Sequence, residues 1–306
     1  MSESPLLKVR NIETFYGPVM AIRGISLDVH EGQIVSILGG NGAGKTTLFS
    51  ILCNYFSPSS GSVKLLGHAP GDRALHGVVS ALPQDAQFDP AFTVLQQLTF
   101  FAQLQGFNAK QAKMEAARVL ELMDLSKAQN VKATELSHGM RKRAAIAQAL
   151  IGSPKLVLLD EPTAGLDPGN AKNIRQQISN LAGETTFLIS SHNIQELERL
   201  CDTVLHLEHG ELKQQINYRS NVSEDVSQSF ITIELENVDK SLFIENISKM
   251  KSVAQVISEN KNEFVIGYDG QSSPDFDQHL LKNLADKNWR YRRLIKGKTL
   301  EEKLFS

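Results

Sequence analysis

Cysteine is scarce: the 306-residue chain has two, Cys53 and Cys201, with neither metal-ligand spacing nor a histidine partner. A disulfide framework is excluded, and two reduced core residues are expected. No apolar run approaches the roughly 20 residues that a bilayer-spanning helix needs. The opening MSESPLLKVR also lacks the charged-then-apolar layout of a signal peptide. An intracellular chain, soluble by itself, is expected. Basic excess is missing too, since 32 Lys and Arg face 34 Asp and Glu, for a net charge of -2. No nucleic-acid partner is therefore expected. There is no internal repeat or low-complexity tract. What remains is ordinary globular composition, 41% hydrophobic and 22% charged, enough for one large domain and a small one.

Residues 39 to 46 read GGNGAGKT, Gly-four residues-Gly-Lys-Thr, directly after the apolar run Ile34 to Leu38. A strand feeding a glycine-rich turn and then a helix points several backbone N–H groups at one spot, where a polyphosphate fits. Gly39, Gly42 and Gly44 let the backbone curl closely, and Gly40, Asn41 and Ala43 complete the loop. Lys45 reaches β- and γ-phosphates, Thr46 offers a hard oxygen to Mg²⁺, and Thr47 follows in the helix.

Short segments Leu7 to Ile12, Ile25 to Val29, Gln33 to Leu38 and Ser62 to Leu66 read as strands between Gly and Pro turns. From Phe92 to Leu150 the spacing becomes helical, with Ala112, Ala116, Val119, Leu120 and Met123 on one face. Strand character returns at Leu156 to Leu159 and Thr186 to Ile189, with a helix starting near Pro168 between them. Strands alternating with helices predict a mostly parallel sheet covered on both faces. The expected organisation is an α/β domain over 1–216, with an antiparallel N-terminal β part and a helical insertion at about 90–152. A polar linker over 217–229 precedes an α+β unit over 230–306. In that unit, strand-helix-strand-strand-helix-strand patterning suggests a ferredoxin-like sandwich. Its cluster Arg290, Arg292, Arg293, Lys296 and Lys298 reads either as a solvated strand face or as a patch for an acidic surface.

Two further motifs carry chemistry. The strand Leu156 to Leu159 ends in Asp160-Glu161, at the strand end where open α/β sheets place ligands. Asp160 suits Mg²⁺ and Glu161 suits a general base, although acids also follow strands without any such role. At Leu136-Ser137-His138-Gly139-Met140, Ser137 caps an alanine-rich helix and can form a second anion site, or serve only as a cap. One chain is not expected to close both anion sites on one phosphate; two chains can.

Together these motifs resemble the nucleotide-binding subunit of ATP-binding cassette (ABC) transporters, a family of P-loop NTPase fold, over Leu6 to about Leu212. LSHGM resembles the family signature, and DEPTAGLD its second Walker motif running into the D-loop. The resemblance implies Mg²⁺-dependent ATP hydrolysis by a head-to-tail homodimer, with Ser137 and Gly139 meeting the γ-phosphate in trans. It further implies that Tyr16 stacks on adenine and that Gln84 senses Mg²⁺ and the attacking water. His192 would contact the γ-phosphate and Asp167 the dimer interface. A separate integral membrane permease is implied, docked near Gln84 and Phe92 to Phe107 on the cytoplasmic face. Gly40 departs from the family's usual Pro, while His138 and Met140 depart from Gly and Gln. Met140, and a C-terminal domain ending in a segment like Thr299 to Phe305, resemble exporters with a stand-alone cassette. The alternatives are a soluble ABC ATPase acting on ribosomes or DNA, and a P-loop phosphotransferase.

Overall fold

The computed structural model describes residues 4–197, 200–217, 229–236, 238–258, 262–270 and 272–296. Contacts divide the chain into two units, Met1–Tyr218 and Arg219–Ser306. Most of the expected linker, residues 218–228, lies outside the described residues.

The first unit opens with β1 (Leu7–Tyr16) and β2 (Val19–Val29), followed by β3 (Ile34–Leu38), α1 (Lys45–Leu52), β4 (Ser60–Leu65) and β5 (Val79–Leu82). The helices α2 (Val94–Leu104), α3 (Ala109–Leu122) and α4 (His138–Ala149) come next, then β6 (Leu156–Leu159) and α5 (Pro168–Asn180). The unit closes with β7 (Thr186–Ser191), α6 (Ile194–Leu197), β8 (Thr203–Glu208) and β9 (Glu211–Asn217). β1 and β2 run further than the expected Leu7 to Ile12 and Ile25 to Val29. The tight Gly17-Pro18 turn pairs Tyr16 with Val19, so the ladder continues to the hairpin tip. Leu66 drops out of β4 because its φ of 47° is left-handed.

A six-stranded sheet has the order β5-β6-β7-β3-β8-β9. Its first five strands are parallel, and β9 is antiparallel to β8. Every residue of β3, β6 and β7 is buried, because a parallel sheet is covered on both faces. Polar exceptions are paired, as where the Ser36 hydroxyl donates to the Ile189 carbonyl at 3.0 Å. A second, antiparallel sheet has the order β2-β1-β4. Its Leu7, Ile12 and Ile25 share one buried cluster with Leu48 and Ile51 of α1 and with Leu156 and Leu188 of the large sheet. That shared core anchors the loop between β3 and α1.

In the helical insertion, Thr93 with Gln96 and Asn108 with Gln111 form capping boxes that start α2 and α3. Ala112, Ala116, Val119, Leu120 and Met123 are all buried. Cys53 and Cys201 are free thiols. Burial pushes Cys53 up to about 11 and Cys201 further still.

The second unit contains β10 (Ser229–Glu236), α7 (Lys240–Ser248), β11 (Val253–Ser258), β12 (Glu263–Tyr268), α8 (Phe276–Asp286) and β13 (Arg290–Lys296). Its antiparallel sheet has the order β11-β12-β10-β13, the ferredoxin-like arrangement. The core stacks Phe243 4.4 Å from Phe264 and 5.5 Å from Trp289, between ring centroids. Phe243→Ala should cost about 3–5 kcal/mol, because the surroundings only partly collapse into the space. Trp289 is the chain's one tryptophan, so denaturation followed by its fluorescence reads this unit directly. An unchanged midpoint would contradict this packing.

Two residues of the basic cluster, Arg292 and Lys296, are ion-paired within the unit. Arg292 lies 3.8 Å from Glu234 and 3.5 Å from Glu236, and Lys296 is 2.7 Å from Asp277. Lys298 and the segment Thr299 to Phe305 lie outside the described residues.

Candidate active site

The strand order places the carboxyl ends of β6, β7, β3 and β8 side by side. In an open parallel sheet this edge is where a ligand sits. β3 feeds the glycine-rich loop, and Gly44 starts α1 with φ of 106°, a conformation natural to glycine alone. The Lys45 ammonium donates to the carbonyls of Gly39 at 2.7 Å and Gly40 at 3.2 Å. It also stands 3.4 Å from Glu161 Oε1, and both side chains are more than nine-tenths buried.

Glu161 follows β6 with a left-handed φ of 49°. For a non-glycine residue this costs on the order of 1–3 kcal/mol, and such strain gathers at functional sites. Three contacts hold the geometry. The Glu161 N–H donates to Ser190 Oγ at 2.8 Å, that hydroxyl donates to Asp160 Oδ1 at 2.5 Å, and Glu161 Oε2 lies 2.8 Å from His192 Nδ1. Ser190, near the end of β7, therefore ties both acids to the neighbouring strand. Burial holds the Asp160 carboxyl above the usual carboxylate range, opposed by the Ser190 hydrogen bond. The negative charge of Glu161 raises it further, while Lys45 and Lys142 pull it down.

A cavity of about 520 Å³ opens above these residues. Tyr16, Gly40, Asn41, Gly42, Ala43, Gly44, Lys45, Thr46, Thr47, Gln84, Glu161 and His192 all line it. Gly39 and Asp160 do not; they lie at the strand ends behind Lys45 and Glu161. Tyr16 is 54% exposed and braced edge-on by Phe56 at 5.7 Å, which leaves a broad aromatic surface accessible to a ligand.

Ser137, Gly139 and Asp167 form a separate group. Ser137 caps α4 by accepting from the Met140 N–H at 3.2 Å. Asp167 caps α5 through the N–H groups of Gly169 and Asn170, both at 3.0 Å. Asn170 joins the two ends: its side chain donates to Asp167 at 2.6 Å and lies where a Cβ on Gly139 would have to go. Gly139 and Asp167 thus meet through Asn170, and neither they nor Ser137 line the cavity.

Sequence reasoning missed Ser190, Asn170, Arg23, Ala164 and His209, the last three also lining the cavity. Ser190 had a signal, a polar pair ending an apolar strand just before His192. Arg23 and His209 had none, since distant strands deliver them.

A glycine-rich loop between a buried parallel strand and a helix, with lysine, glutamate and histidine converging at adjacent strand ends, defines a P-loop nucleotide-binding domain. Comparison with known proteins makes the class specific: the chain belongs to the ABC transporter family, as an ATP-binding cassette. The family's ABC transporter profile matches residues 22–164. Nod factor export ATP-binding protein I of Burkholderia orbicola (strain AU 1054) is 38% identical over 213 residues, 69% of this chain and 70% of that protein. The uncharacterized ABC transporter ATP-binding protein YdbJ of Bacillus subtilis (strain 168) is 35% identical over 242 residues, 78% of this chain and 77% of that one. Among solved structures, cbiO1 of Clostridium perfringens, part of the transporter complex cbiONQ, has a TM-score of 0.65 at 28% identity, covering 72% of this chain and 92% of that chain. A cassette in a dimeric post-hydrolysis state, bound to ADP and phosphate, has a TM-score of 0.63 at 26% identity, covering 70% and 99%. The chain is thus an ATP-binding subunit of an ABC transporter, and an ATPase. Among the described residues no helix is long and apolar enough to cross a membrane.

Proposed function

We propose that two copies of this chain close head to tail around two Mg·ATP molecules and so power export through a separate membrane permease. One observation carries the shared site: the loop, Lys45, Glu161 and His192 line one cavity, whereas Ser137 and Gly139 do not line it. Ser137 is exposed at the N-terminus of α4, free to meet a phosphate presented by another copy.

Within each site the loop from Gly39 to Thr47 directs its N–H groups at the phosphates, and Lys45 exchanges its carbonyl contacts for phosphate oxygens. Tyr16 stacks on adenine. Glu161 accepts the proton of an in-line water, and His192, bonded to its other oxygen, orients it and reaches the γ-phosphate. Asp167 shapes the dimer contact through Asn170. The donors suited to a cation are all hard oxygens, the Thr46 hydroxyl, the Gln84 carboxamide and the Asp160 carboxylate, which fits Mg²⁺. Those residues would hold it, and when bound it neutralises phosphate charge.

The permease docks on the cytoplasmic face of the membrane, at a groove of about 570 Å³ lined by Gln84, Phe88, His138 and Lys142. Phe92, Phe100 and Leu104 also stand exposed, in the segment expected to meet the permease. Export is supported by the name of the Burkholderia relative.

Mixing two inactive variants tests the shared site. Ser137→Arg chains lack the trans contact and Lys45→Ala chains lack the cis one, so each alone should hydrolyse ATP near background. A mixed dimer has one complete site, and activity should return on mixing. No recovery would sink the head-to-tail arrangement.

A further inference from the structure

Four neighbouring strands deliver groups to the nucleotide cavity, and three of them supply the parts already described. Glu161 follows β6, His192 follows β7 and the glycine-rich loop follows β3. β8 lies on the other side of β3 from β7, and the residue just past its end is His209, which also lines the cavity.

His209 and Gly210 form a two-residue turn between β8 and β9, flanked by the pair Glu208 and Glu211. Their φ values are 49° and 80°, as a type I′ hairpin requires. His is one of the side chains that adopts this left-handed first position more readily than most, so the turn carries an imidazole at little strain. The turn is also pinned. The Gly210 N–H donates to Ala43 O at 2.9 Å, inside the phosphate loop, and its carbonyl accepts from the Arg23 N–H at 2.8 Å. A Cβ on Gly210 would lie 2.4 Å from the Ala21 carbonyl, so the turn and β2 are in close backbone contact. Arg23, on β2, lines the same cavity as His209. Glu208 stands 3.9 Å from the His209 ring, yet neither Glu208 nor Glu211 lines the cavity.

We infer that this turn is a nucleotide-binding element, in which His209 and Arg23 donate to the sugar-proximal part of the phosphate chain. The inference rests on the ATP reading proposed above. Strand order fixes the polarity: Glu161 and His192 stand on one side of the loop, where hydrolysis is assigned, and His209 on the other. An arginine and an imidazole N–H, both lining the cavity while the neighbouring Glu208 and Glu211 do not, match an anionic group that ATP and ADP share.

Equilibrium dialysis of labelled ATP and ADP against the full chain tests this. His209→Asn keeps a residue at ease with positive φ and removes the imidazole, and Arg23→Gln keeps most of the side-chain length. Each should weaken both nucleotides about threefold to tenfold, the loss of one ordinary hydrogen bond in an open, solvent-exposed site. His209→Gly, which accommodates the turn freely, gives the same result if the ring is responsible and guards against a folding artefact. Unchanged dissociation constants, or weakening of ATP alone, would overturn the inference and leave the cavity's assignment standing. If the parent chain binds neither nucleotide, both fall.

Discussion

Glu161→Gln should retain ATP binding and accumulate as an ATP-bound dimer, while hydrolysis falls by about 10²–10⁴-fold, the usual worth of a general base. The geometry makes the substitution clean. Glutamine keeps the shape of the side chain, so the backbone contact with Ser190 and the packing of the strained turn are preserved. What disappears is the charge. The carboxylate that faces His192 at 2.8 Å can no longer take a proton from water, and the attraction to Lys45 at 3.4 Å is lost. Since Lys45 still reaches the phosphates, nucleotide affinity should hold or rise. Steady-state phosphate release, with size-exclusion chromatography in ATP, reads both consequences. A variant that turns over at the parental rate would remove Glu161 from its assigned role.

Lys45→Ala is expected to act one step earlier. Its ammonium is buried, is held by two loop carbonyls and stands beside Glu161. Removing it deletes the cation that would meet the β- and γ-phosphates, a charge-assisted contact worth about 1.5–3 kcal/mol. ATP affinity should fall roughly 10- to 100-fold, with a further loss of turnover because phosphoryl transfer depends on charge stabilisation. Glu161 also loses its buried cationic neighbour. Calorimetric titration separates this variant from Glu161→Gln: one binds more weakly, the other binds like the parent and fails to turn over. If Lys45→Ala binds ATP as tightly as the parent, the loop does not hold phosphates as proposed.

Local chemistry made much of this readable from residues in a row. The phosphate loop is a contiguous backbone device, so its strand, glycines and lysine announce it, and the face Ala112 to Met123 emerged buried as its spacing predicts. The short parallel strands were visible as apolar runs because both their faces are covered. Less legible was the length of the N-terminal hairpin, since its solvent-facing residues lack a continuous apolar signal and only the Gly17-Pro18 turn carries the pairing onward. The basic residues of β13 read either as a solvated strand face or as a patch for an acidic surface, because the acidic partners of Arg292 and Lys296, Glu234, Glu236 and Asp277, are remote in sequence.

The sequence by itself determined the nucleotide chemistry: a phosphate loop, an Asp-Glu strand end and a capped signature helix, each encoded within a few residues by backbone conformation and side-chain type. Only the tertiary structure decided which of these meet. Strand order β6-β7-β3-β8 sets Glu161, His192, the loop and His209 side by side, and α4 with α5 draws Gly139 and Asp167 into a cluster of their own. The reason is physical: sheet pairing and core packing join residues more than a hundred positions apart, and no local pattern records that choice.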